Sequence, residues 1–341
     1  MTSYSAKNKV VCVVRTPLQL FNAIEACQRF HRHDLKYLIV VAGSSIDLQM
    51  MQAMITSDQD WVAIETVIFQ GWHKHFYGWQ LNPWLTSLKP VKAVYIGMIR
   101  HVPLHTVNIL QPEQVWILDD GNESLMIARQ IHRWQQQKNG QAQINHRHQI
   151  NIPARFSDQL LGLQLQPDRL LKANFFSAFQ IPVVPNQLVH NDYQCFKVKV
   201  HDLPIRADVL VIGSNLVGTY LKNESILLLR LKDLRQYLPS DVPHWYAPHR
   251  YETAQTIDKI QQLGYHIYQS SGILEYSQLQ QGWRFSASYS IRSTAIETLY
   301  KIYGIPGFLC QLPVKDFVSV SKWQECCHIW QQHGQTIRLN H

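Results

Sequence analysis

Short, almost unbroken apolar runs punctuate the chain, and this pattern limits its fold more than any other feature. The runs at 10–14, 37–41, 62–69, 93–96 and 115–118 are rich in Val, Ile, Leu and Tyr. Successive side chains of a strand point to opposite faces, so a continuous apolar run is a strand covered on both sides. That is the condition of a parallel sheet between helices. Between the first two runs, Leu18, Phe21, Ile24 and Cys27 recur at helical spacing. They follow Pro17, whose fixed φ suits a first helical turn. Strand, helix and strand in repetition predict an α/β chain with doubly wound parallel sheets.

From about 136 to 204 the pattern dissolves into Gln, His, Asn and Pro, with short apolar pieces such as 160–165. A second series of runs then appears at 209–212, 245–246, 266–268, 285–287 and 307–312, and an amphipathic helix is expected over 321–332. The 341 residues exceed what one core usually organises. The expected division is an N-terminal Rossmann-like domain at 1–200, a C-terminal one at 201–320, and a terminal segment at 321–341 whose helix packs back on the first domain. No apolar run reaches the roughly 20 residues of a membrane span, so the chain is expected to be cytoplasmic, with its six cysteines reduced.

The formal charge of +8 favours an anionic partner. Lys and Arg stand in ones and twos with no basic run, which argues against nucleic acid. A phosphorylated substrate remains, as does a peripheral contact with the anionic inner face of a membrane near a lipid-linked acceptor.

Chemistry-bearing residues collect where strands should end. The run 115–118 leads into Asp119-Asp120-Gly121, and open α/β sheets bind ligands beyond the carboxyl ends of their strands. Asp and Gly equally suit a turn, with Asp120 or Asn122 capping the next helix. Pro248-His249-Arg250 closes a second aromatic strand. Downstream lie Glu275 and then Ser293-Thr294, which opens a helical pattern. Hydroxyls there are caps or, with the free N–H groups, contacts for an anion. Asp58-Gln59-Asp60 has a metal-binding form but precedes its strand. Cys326-Cys327-His328 with His333 lacks the spacing of zinc ligands, so no metal is expected.

In order and spacing these groups resemble the bacterial sialyltransferases and polysialyltransferases, which carry an acid-acid-Gly motif, a His-Pro motif, a ribose-binding Glu and a Ser-Ser or Ser-Thr phosphate motif. Arg15-Thr16-Pro17-Leu18-Gln19-Leu20 resembles the Thr-Pro-Leu-Gln of that family, and Gly213-Ser214-Asn215-Leu216 its Gly-Gln-Pro-Leu. This chain has His249-Arg250 for His-Pro and Ser214-Asn215 for Gln-Pro. The resemblance implies a GT-B glycosyltransferase with two Rossmann-like domains facing a central cleft. It implies inverting transfer without metal or cofactor. The donor would be a CMP-linked sialic acid or related nonulosonic acid (pseudaminic or legionaminic), with CMP-Kdo as an alternative, and the acceptor a capsule or lipooligosaccharide glycan. Asp119 is then the expected base and Asp120 its orienter. His249, Ser293 and Thr294 would meet the leaving phosphate, Gly213, Ser214, Asn215 and Arg250 would line the donor site, and Glu275 would meet the ribose. Thr16, Pro17 and Gln19 would lie on the sugar side. A two-domain protein that binds nucleotide or glycan without catalysis is the reading from a different class.

Overall fold

A computed structural model describes residues 8–56, 59–69, 77–99, 101–120, 122–138, 167–181, 187–270, 272–333 and 335–339. Asp58 and the piece 160–165 lie outside them. The chain divides into two compact units, Met1–Cys195 and Phe196–His341. Among the described residues no helix is long and apolar enough to cross a membrane.

The first unit is built on a seven-stranded sheet in which every pairing is parallel, in the order β3-β2-β1-β4-β5-β6-β7. The strands are β1 (Lys9–Val14), β2 (Leu35–Ala42), β3 (Trp61–Ile68), β4 (Ala93–Ile96), β5 (Gln114–Leu118), β6 (Asn174–Ser177) and β7 (Leu188–His190). Between them run α1 (Pro17–Phe30), α2 (Ser45–Met54), α3 (Tyr77–Leu88), α4 (His101–Leu110), α5 (Asn122–Lys138) and α6 (Pro167–Leu171), and α7 (Gln194–Val200) spans the division. β1 lies inside the sheet between β2 and β4, and Val10 to Val14 are wholly buried. The chain builds outward from it to β3 and then crosses to β4, so the strand order reverses between β1 and β4. At such a reversal the connecting loops diverge and leave a crevice at the carboxyl ends.

β6 and β7 lie in the stretch where the sequence pattern dissolves. β6 has only four residues, Asn-Phe-Phe-Ser, too few to register as a periodic element, yet Phe175 and Phe176 are completely buried beside β5. The edge strand β3 is less enclosed than its apolar run suggests. Val62, Ile64 and Ile68, on one face, are exposed.

The second unit carries a six-stranded parallel sheet in the order β10-β9-β8-β11-β12-β13. Its strands are β8 (Val209–Ile212), β9 (His244–Ala247), β10 (His266–Ile267), β11 (Ala287–Ser290), β12 (Gly307–Gln311) and β13 (Thr336–Arg338). Its helices are α8 (Glu224–Leu234), α9 (Ala254–Gln262), α10 (Leu274–Gln281), α11 (Ala295–Tyr303) and α12 (Val320–His333). The strand expected at 285–287 is displaced to Ala287–Ser290. The reason is chemical: Ser288 and Ser290 are buried in the sheet, and the Ser290 hydroxyl donates to the Ile212 carbonyl at 2.9 Å. Buried serines with backbone partners interrupt the apolar signature without interrupting the strand.

α12 is fastened to this unit by two indoles. Trp330 Nε1 donates to the Ile291 carbonyl at 3.0 Å and Trp323 Nε1 to the Leu312 carbonyl at 3.2 Å. A buried ion pair secures the chain entering that helix. Arg230 of α8 is 1% exposed; its Nε donates to Asp316 Oδ2 at 2.6 Å and its Nη1 to Asp233 Oδ2 at 2.8 Å. The Asp316 carbonyl accepts from Lys222 N, and Val318 N donates to the Tyr220 carbonyl, so the loop after β12 is laced to the turn at 216–222.

Candidate active site

In the first unit the β1–α1 loop converges on one carboxylate. Thr16 caps α1, accepting from Gln19 N at 3.2 Å, and Pro17 occupies the first turn. The Thr16 hydroxyl then donates to Asp120 Oδ1 at 2.7 Å, and Gln19 Nε2 donates to Asp120 Oδ2 at 2.8 Å. Gln19 Oε1 is already taken by Arg15 N at 2.8 Å, which fixes which end of the amide faces Asp120. Gln19 can lie this way because residue 97, at the end of β4, is glycine. A Cβ there would sit 2.1 Å from Gln19 Cδ. Thr16, Gln19 and Asp120 are thus brought together at the order reversal of the sheet.

The two acids occupy different environments. Asp119, the expected base, is 1% exposed. Its Oδ2 accepts from Ala178 N, just past β6, at 2.6 Å, and its carbonyl accepts from Asn22 Nδ2 at 3.2 Å. Asp120 is only partly buried. Its two oxygens each take one of the donors above, Thr16 and Gln19.

In the second unit Gly213 follows the central strand β8. Its N–H donates to the Ala247 carbonyl at 2.9 Å, and an added Cβ would lie 2.7 Å from Tyr246 Oη and 2.9 Å from His249 N. Glycine is required so that the ends of β8 and β9 can touch, a packing reason distinct from approach to a nucleotide. We expect Gly213→Ala to cost about 1–3 kcal/mol in denaturant unfolding through overpacking at this junction. An unchanged midpoint would show that the 247–249 segment yields freely.

His249 is half-buried. Its Nδ1 faces Tyr251 N at 3.4 Å, which assigns the ring proton of the neutral imidazole to Nε2. Burial, with the Arg250 charge adding to it, holds the imidazole below its ordinary value. Glu252 sets the position of His249: its Oε2 accepts from His249 N at 3.0 Å and its Oε1 from the Tyr246 hydroxyl at 2.7 Å. Burial raises the Glu252 carboxyl, against both hydrogen bonds. Arg250 is exposed and stacks over Tyr251, and Asn215 is exposed.

Ser214 donates to the Arg292 carbonyl at 2.7 Å, tying the β8 loop to the β11–α11 loop. Ser293 Oγ accepts from Ala295 N at 3.3 Å, and Thr294, at the cap of α11, makes no capping bond with its side chain. Glu275 lies on α10, 5% exposed, and accepts from the Thr298 hydroxyl of α11. Burial raises its carboxyl, the hydrogen bond opposing this. Its carbonyl accepts from Tyr303 Oη at 2.6 Å, so in this structure Glu275 joins α10 to α11.

Sequence reasoning did not single out Glu252, Gly97 or Arg292. Glu252 has a readable signal, an acid three residues after His249, where it can reach back to a backbone N–H. Arg292 carries only its adjacency to Ser293-Thr294. Among the described residues no three His, Cys, Asp or Glu side chains gather as metal ligands would.

No protein-family model matches this sequence, and no curated protein matches it either. Solved structures do. The GT-B domain of a sialyltransferase from Photobacterium damselae aligns over 97% of this chain and 99% of its own, with 8% identity and a TM-score of 0.51. A UDP-GlcNAc 2-epimerase from Methanocaldococcus jannaschii aligns over 95% and 92%, with 10% identity and a TM-score of 0.50. A putative UDP-N-acetylglucosamine 2-epimerase from Listeria monocytogenes aligns over 89% and 79%, also at 10% identity and a TM-score of 0.50. The fold is GT-B.

Proposed function

We propose that this chain is a nucleotide-sugar glycosyltransferase in which Asp120 is the base and Asp119 the group that orients it. The observation that carries this reading is the convergence of Thr16 and Gln19 on Asp120 at the end of β5. A partly exposed carboxylate held by two fixed donors is what an incoming hydroxyl needs. The buried Asp119, pinned by Ala178 N, is suited to hold the β5–β6 edge in register. This exchanges the roles expected from the sequence.

In the proposed reaction the acceptor oxygen bonds to the anomeric carbon and its proton passes to Asp120. The bond from that carbon to the phosphate oxygen breaks, and the leaving nucleotide keeps the electron pair. In the second unit His249 Nε2–H and the Ser293 and Thr294 hydroxyls would donate to the phosphate as its charge grows. Gly213, Ser214 and Asn215 shape the nucleotide loop, with Glu275 on the ribose side through α10. The motif order supports a CMP-linked nonulosonic acid as donor and a glycan hydroxyl as acceptor.

The test is turnover of a panel of CMP- and UDP-sugars in excess EDTA with glycan acceptors present. Transfer from a CMP-nonulosonic acid, undiminished by chelator, is expected. Epimerisation of UDP-N-acetylglucosamine without transfer would sink the proposal. Because His249 is held below its ordinary value, it is a neutral N–H donor near neutrality, and the rate should not fall as pH rises through about 6 to 8. A falling limb centred near 6.5 would make the imidazolium the working form.

A further inference from the structure

The β11–α11 loop holds a guanidinium whose Nε–H has no hydrogen-bond partner among the described residues. The Arg292 backbone is fixed at both ends, its N–H donating to Ser290 Oγ at 3.3 Å and its carbonyl accepting from Ser214 Oγ at 2.7 Å. Its guanidinium carbon lies over the Tyr220 ring, 4.1 Å from the centroid. Nε is buried and has no hydrogen-bond partner, and among the described residues the guanidinium makes no ion pair. The carboxylate in that neighbourhood is committed elsewhere. Glu325 of α12 accepts from Lys322 Nζ at 2.8 Å and from the Tyr220 hydroxyl at 3.1 Å, and Lys322 Nζ stands 4.9 Å from the same ring. The Lys322 bond, foremost, holds the Glu325 carboxyl below its usual range against burial, with the Tyr220 hydroxyl and the charges of Lys322 and Arg292 adding to it.

A buried donor without a partner is costly to the folded protein alone. Stacking on an aromatic face restrains a guanidinium to one plane, and its rigid fork matches the oxygens of a phosphate better than a point charge does. Arg292 is also the residue immediately before Ser293 and Thr294. We propose that Arg292 is a phosphate-binding residue for the nucleotide, and that Tyr220, itself anchored by Lys322 and Glu325, is the positioning residue that aims it. This rests on the nucleotide-sugar reading of the second unit and deepens it: the donor's phosphate is recognised by a planar cation, beyond hydroxyls and backbone.

Calorimetric titration of the full-length chain with CMP, UDP, cytidine and uridine tests this. Arg292→Gln should weaken whichever nucleotide the wild type binds by about tenfold or more, the worth of one charge-assisted hydrogen bond, and leave the matching nucleoside within about twofold. Arg292→Lys should recover only part of the loss, because it restores charge without the fork. Tyr220→Leu should reproduce a share of the Arg292→Gln effect, and Tyr220→Phe, which keeps the ring but loses the hydroxyl bond to Glu325, should lose less than Tyr220→Leu. If Arg292→Gln binds nucleotide as the wild type does, the Arg292 assignment fails while the nucleotide reading stands. Equal losses of nucleotide and nucleoside would mark a structural role and overturn it too. A wild type that binds neither nucleotide removes the nucleotide reading itself, and this assignment with it.

Discussion

Asp120→Asn should lower the transfer rate by about 10² or more while nucleotide affinity stays near wild type, the signature of a lost general base. The substitution suits the test because the amide fits the same cradle. Its oxygen can keep the bond from Gln19 Nε2, and its NH₂ can face Thr16 Oγ, which has a lone pair to offer. The fold should therefore be retained and only the proton acceptor lost. Asp119→Asn should behave differently. Asp119 is buried against Ala178 N, so the amide should lower the melting temperature and reduce rate and stability together. If Asp119→Asn kept its melting temperature and lost turnover while Asp120→Asn remained active, the order of the two acids would be the one first expected from the sequence. If both variants stayed active, the acid-acid-Gly turn is structural.

Asp316→Ala should destabilise the second unit by about 3–5 kcal/mol, the cost of leaving a buried charge without its partner. Arg230 is 1% exposed and makes two hydrogen bonds to Asp316, at 2.6 Å and 3.3 Å, so it has no short route to water when that carboxylate is removed. Asp233 alone, at 2.8 Å, would remain. Replacing both partners by apolar residues, Arg230→Met with Asp316→Leu, should cost much less than the single change. Urea unfolding of the two variants checks both statements. A loss below about 1 kcal/mol for Asp316→Ala would show that Arg230 relaxes to solvent. Because the Asp316 loop is laced to 220–222, the single variant should also loosen the turn that carries Tyr220.

The central strands of both sheets are legible in the sequence because burial on two faces leaves a continuous apolar run, as at 10–14, 93–96 and 209–212. β6 is hidden by its brevity, and β11 is displaced from its expected place by serines whose hydroxyls are satisfied by backbone carbonyls. The concealed β6 also bears on why the order of the acids expected from the sequence differs from the one proposed above. Adjacent residues leave a strand on opposite faces, so Asp119 and Asp120 cannot share a surrounding. Which of them turns inward is decided by the N–H of Ala178, just beyond the strand that the sequence conceals. Thr16 and Gln19 were readable as a motif, but their convergence on Asp120 depends on the close passage at Gly97, between elements far apart in the chain. Arg292 was unreadable for another reason. A lone arginine looks the same in sequence whether it is solvated or stacked and unpaired.

The ties around Asp120 described above come from residues 15–22 and 178, and those around His249 from residues 213 and 246–252. Each of these sets of ties is drawn from its own unit. Ties drawn from one unit travel with it. A chimera joining residues 1–195 to the second unit of another GT-B protein would inherit the contacts of Thr16 and Gln19 with Asp120, and a lineage could exchange its second unit by recombination at one junction without rebuilding them.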